Sequence, residues 1–110
     1  MAYNENLDAR IKEAVSKWEN TSSKKMFGGV CYLHGGNMAF GIYKDYLIVR
    51  LGSPERAQAH IDAGRARAFD ITGRAMQGWV MVPKTGLAGP RELRGWIEKG
   101  LTFARSLPPK

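Results

Sequence analysis

The sequence has one cysteine, Cys31, and two histidines, His34 and His60. A lone cysteine closes no internal disulfide. Neither C-x-x-C nor H-x-x-x-H spacing occurs, so the usual zinc-binding arrangements are excluded. No apolar stretch approaches the roughly 18 residues of a membrane span, and no charged-then-apolar leader opens the chain. A cytoplasmic protein with no contact with a membrane is the expectation, in keeping with the scarcity of cysteine. Asn20-Thr21-Ser22 matches a glycosylation acceptor, which has no meaning without such a leader. Acids are also scarce, with ten Asp/Glu against seventeen Lys/Arg.

What is present is ordinary for a globular chain. Of the 110 residues, 44% are hydrophobic and 25% charged. That suits a single domain over residues 1–110, long enough to bury a core without staples. The net charge of +7 is uneven. Residues 1–64 hold eight cations against seven acids, and residues 65–110 hold nine against three. Such an excess favours anionic partners: nucleic acid, acidic protein or phosphate ligands. A dispersed, solvated cationic surface is the plainer alternative.

Leu7, Ile11, Ala14, Val15 and Trp18 recur at helical spacing, so residues 5–18 are expected to form an amphipathic helix capped by Asn4. Glu19–Ser23 is polar and is expected to close it. Val30–His34 is an extended apolar run, and Gly35-Gly36 is a hairpin signal. Asn37–Tyr43 alternates, with Met38, Phe40 and Ile42 on one face. Lys44-Asp45 is a second short turn before Tyr46–Leu51. Three strands joined so tightly form an antiparallel meander. Ser53-Pro54-Glu55 starts a helix over 54–63. Ala68–Ile71 and Gly78–Val82 are expected strands, and Pro90 opens a last helix. The order α-β-β-β-α-β-β-α predicts a two-layer α+β fold, with a five-stranded antiparallel sheet and helices on one face.

The chemical motifs do not hold together. Gly28-Gly29 lead into a strand rather than a helix, and Lys24-Lys25 precede them, which is the wrong polarity for a phosphate loop. A bend before the first strand is the simpler account. Ser22-Ser23-Lys24-Lys25 with Lys84-Thr85-Gly86 imitates two serine–lysine enzyme motifs, but the serine does not open a helix and no S-D-N element is present. Cys31 lies within an apolar strand, as a small hydrophobe does. No acid pair suits acid–base catalysis. No catalytic residue, cofactor site or metal site is therefore assigned, and the chain is not expected to be an enzyme.

One set of side chains stands out as a candidate surface. Lys24 and Lys25 precede the first expected strand, and Arg65, Arg67, Arg74 and Lys84 flank the last two. If those strand ends share a side of the sheet, the cations converge. Trp79, opening a strand, is the candidate contact aromatic, with packing as its plainer role. No helix-turn-helix, zinc finger or RNP-type motif accompanies them, so phosphate-backbone binding is permitted and base reading is not indicated.

Several blocks carry a family signature. They are Lys24-Lys25-Met26-Phe27-Gly28-Gly29, Gly36-Asn37-Met38, Leu47-Ile48-Val49-Arg50, Asp70 through Val80, and Gly100 through Lys110. Together they resemble the TfoX N-terminal domain family over nearly the whole chain. The resemblance implies the same α+β order, which is also similar to the secretion-chaperone-like architecture, whose members often dimerise. It implies a regulatory module related to a bacterial competence coactivator, acting through protein contacts with the transcription machinery. In the full-length regulator a second, C-terminal domain follows. The family has no established catalytic residues. A basic nucleic-acid accessory protein is the alternative.

Overall fold

The computed structural model describes residues 4–16, 18, 21–26, 29–69 and 78–108. The elements run α1 (Glu5–Val15), β1 (Thr21–Met26), β2 (Gly29–His34), β3 (Asn37–Tyr43), β4 (Tyr46–Arg50), α2 (Pro54–Asp62), β5 (Arg67–Ala68), β6 (Trp79–Val82) and α3 (Pro90–Arg105). A short 3-10 turn, Lys84–Gly86, joins β6 to the approach of α3. The strands form one antiparallel sheet in the order β1-β2-β3-β4-β6-β5.

The α+β class stands, but the sheet has six strands rather than five. The additional strand is β1, Thr-Ser-Ser-Lys-Lys-Met, in the segment expected to close the first helix. It is an edge strand, and Ser22 to Lys25 are exposed. An edge strand facing water has no apolar face to alternate, so the period-2 signal is missing. The bend expected at Gly28-Gly29 falls partly outside the described residues. Lys24 and Lys25 lie within β1 and Gly29 opens β2, with Met26 paired to Gly29. Phe27 and Gly28 lie outside the described residues, as do residues 70–77, which include the second half of the expected Ala68–Ile71 strand.

Turn chemistry explains the meander. Gly35 and Gly36 adopt φ of 58° and 85°, as a two-residue hairpin turn requires. Lys44 adopts φ of 55° in the next turn, where a side chain is strained. Between them the register slips: Tyr32 pairs with Phe40 but Leu33 pairs with Met38, leaving Ala39 as an inserted residue. This bulge separates Met38 from the Phe40 face. Its methyl lies 3.1 Å from where a Cβ on Gly41 would stand.

Val30, Tyr32, Phe40, Ile42, Leu47, Val49, Val80 and Val82 share one core with Leu7 and Ile11 of α1, Ala57 of α2, and Leu93 and Ile97 of α3. All three helices therefore cover the same face. Tyr32 and Phe40 stack with centroids 5.1 Å apart. Trp96 is buried and Trp18 packs partly against the core. By strand alternation, Cys31, Ile48 and Met81 face the other way, and they too are buried.

Polar anchors hold α1 in place. The Asn4 side chain accepts from the Leu7 amide (3.0 Å) and donates to the Asp45 carboxylate (3.0 Å), while its own amide donates to the Lys44 carbonyl (2.8 Å). Buried Asp8 accepts from the Tyr32 hydroxyl and pairs with Lys12 at 3.1 Å. Arg10 donates to the Leu87 carbonyl at 2.8 Å. At the other end of the chain, Gly100 lets α3 lie directly on β3, because a Cβ there would press on the Ala39 carbonyl.

Candidate interaction surface

The strand order decides how the sequence-identified cations are arranged. β1 and β5 are the two edges of the sheet, with four strands between them. At ~4.8 Å per strand they stand about 24 Å apart. The register places Lys24 and Lys25, the Tyr43–Tyr46 turn, Arg67 and the approach to Lys84 toward one end of the sheet. The cations thus share an end but spread across its width rather than converging. Arg74 lies outside the described residues.

Each has its own surroundings. Lys24 pairs across from Cys31 and Lys25 from Val30, so alternation sends their side chains to opposite faces of β1. The same parity separates Ser22 from Lys25, the pair that the S-x-x-K spacing would need. Arg67 donates to the Tyr46 hydroxyl at 2.7 Å and lies over that ring at 5.7 Å. Arg65 donates through Nε to His60 Nδ1 at 3.1 Å. Lys84, exposed, lines a hollow of about 380 Å³ with Asn4, Arg10 and Thr85.

Trp79 is half-buried and packed. Its ring lies 5.7 Å from that of Phe69, and the Arg50 guanidinium lies 5.4 Å from Trp79 and 5.0 Å from Phe103. Arg50 thus bridges two aromatic rings, one at the start of β6 and one in the last turns of α3. Sequence reasoning did not single it out, although an arginine closing an apolar strand opposite a tryptophan is a cation–π pattern.

Another feature missed in the sequence is a half-open groove of about 400 Å³ between α2 and α3. Arg56 and His60 line it from α2; Gly95, Glu98, Lys99 and Thr102 line it from α3. The signal was present as i,i+4 pairs: Arg56 with His60, Gly95 with Lys99, and Glu98 with Thr102. Burial, followed by the charges of Arg65 and Lys99, holds the His60 pKa below its ordinary 6.5. His60 is half-buried within α2 and lines this groove.

Burial raises the pKa of the Cys31 thiol, which disfavours the reactive thiolate. Among the described residues, no cluster of three or more His, Cys, Asp or Glu could hold a metal ion, and no helix is long and apolar enough to cross a membrane.

Neither a curated protein nor a solved structure matches the chain. The family model for the TfoX N-terminal domain matches residues 13–104, from the last turn of α1 to the last turn of α3. That match spans the whole sheet, α2 and nearly all of α3, and the chain belongs to the TfoX N-terminal domain family.

Proposed function

We propose that the chain is a non-enzymatic cytoplasmic regulatory module that acts by binding another protein, as expected of a domain related to a bacterial competence coactivator. The observation that carries this reading is β1. Among the described residues it is a six-residue edge strand whose one strand neighbour is β2, with Ser22 to Lys25 exposed. A free strand edge accepts an extended segment of a partner through main-chain hydrogen bonds. Lys24 and Lys25 favour a segment carrying acidic residues. They disfavour a second copy of the same strand, because that pairing would bring four lysines onto one edge with no acid in the strand to offset them. A homodimer, which the secretion-chaperone-like order suggests, would form through another surface.

The test is affinity capture from bacterial extract with the intact chain, identifying what is retained. Recovery of RNA polymerase or a cyclic-AMP receptor protein supports the transcriptional reading. Recovery of neither overturns it. The cations along one end of the sheet support a second reading, an accessory protein that touches nucleic-acid phosphates. Its signature is an affinity for DNA or RNA that falls steeply with salt. No binding at low salt removes it.

A further inference from the structure

We propose that the groove between α2 and α3 is a binding site for a small phosphate-bearing ligand. The charge balance is the first argument. Arg56 and Lys99 line the groove, and Arg65 stands behind His60. Among the described residues the single lining carboxylate is Glu98, and Arg94 engages it at 3.3 Å. The nearest acids of α2 are also occupied, Glu55 by the Ser53 hydroxyl (3.0 Å) and Asp62 by the Gln58 amide (2.7 Å). Arg56 and Lys99 are in no ion pair among the described residues, so their charge is available to an anion.

Donor chemistry is the second argument. Because His60 Nδ1 accepts from Arg65, the neutral ring carries its hydrogen on Nε2, so this groove-lining imidazole has a donor to offer an anion. The Thr102 hydroxyl adds another. Two cations with two neutral donors suit the several acceptor oxygens of a phosphate group, and the volume of about 400 Å³ is within the range of small-ligand pockets.

Gly95 is the third. It sits inside α3, where glycine weakens a helix relative to alanine. Packing does not demand it, since an added Cβ would meet nothing within 4 Å. What the glycine provides is space on the groove wall.

The experiment follows backbone amide signals of the full chain during titration with inorganic phosphate at constant ionic strength. Sodium chloride is the control, and phenyl phosphate is a parallel arm. Saturable shifts are expected at Arg56, His60, Lys99 and Thr102, with none from chloride. Tighter binding of phenyl phosphate identifies a phosphate monoester as the ligand. Tighter binding of inorganic phosphate identifies the free ion, and either result carries the site. Replacing Arg56→Gln and Lys99→Gln together is expected to weaken binding roughly tenfold or more, through loss of charge-assisted contacts. Gly95→Leu, at a position with open space, is expected to fold and to block entry. Shifts that chloride reproduces, shifts spread over the cationic surface, or wild-type affinity in the double variant would overturn the proposal.

Discussion

Two glycines in α3 offer a controlled test of how the helix layer meets the sheet. Gly95→Ala and Gly100→Ala make the same chemical change in the same helix, and each gains about 0.8–1.0 kcal/mol of helix propensity. Their surroundings differ. A methyl at Gly95 meets nothing within 4 Å, whereas a methyl at Gly100 presses on the Ala39 backbone carbonyl at the β3 bulge. Backbone cannot swing aside as a side-chain tip can, so α3 must move off the sheet, at an overpacking cost of about 1–3 kcal/mol. Gly95→Ala is therefore stabilising by about 1 kcal/mol. Gly100→Ala nets between about 0 and 2 kcal/mol of destabilisation. At ~2.1 cal/mol/K per residue, the 110-residue chain unfolds with an entropy of about 0.23 kcal/mol/K. One kcal/mol is then worth about 4 °C in Tm. The two variants should differ by about 4–13 °C in calorimetric melting, with Gly95→Ala above wild type. Equal upward shifts would refute the close approach of α3 to β3.

Other outcomes follow from single contacts. Tyr32→Phe removes the hydroxyl that donates to buried Asp8 and is expected to cost about 1–2 kcal/mol in denaturant unfolding, with Lys12 still in place. Lys44→Gly relieves the left-handed backbone at φ 55° and should raise stability by roughly 1 kcal/mol; a fall in Tm would show that the lysine's contact with the Tyr43 ring outweighs the strain. His60 is held below its ordinary 6.5, so the unfolded chain takes up this proton first as pH falls. Its contribution therefore favours folding above about pH 6.5 and turns against folding below it. Stability measured from pH 5 to 8 should lose that component in His60→Gln, and identical pH profiles would contradict it. Cys31, buried with a raised pKa, should label with thiol reagents only on unfolding, whereas rapid labelling of the native chain would place it at the surface.

Elements with an inward face were legible in the sequence, and those without one were not. The Leu7–Ile11–Val15 stripe, the Gly35-Gly36 turn and the Ser53-Pro54 helix start each carry a local signal tied to burial, backbone angle or capping. The meander and the three helices followed from these. β1 carries no such signal, because it pairs its backbone with β2 while Ser22 to Lys25 face water. The Met38 face was misjudged for a different reason. A bulge is a property of two strands in register, and Asn37–Tyr43 alone reads as plain alternation. The cations could be identified singly, but their spread across the sheet depends on β1 and β5 being opposite edges, which sequence order does not reveal. The α2–α3 groove was hidden in the same way. Its i,i+4 pairs are ordinary on a helix surface until the two helices are seen side by side.

The account rests most heavily on β1 as the contact edge. The direct measurement is capture of the retained partner by wild type and by the double charge reversal Lys24→Glu with Lys25→Glu, with melting temperatures recorded for both. Both residues are exposed, so the reversal should leave stability within about 0.5 kcal/mol of wild type. The prediction is loss of capture by a variant that melts with wild type. Undiminished capture by that folded variant would contradict the account.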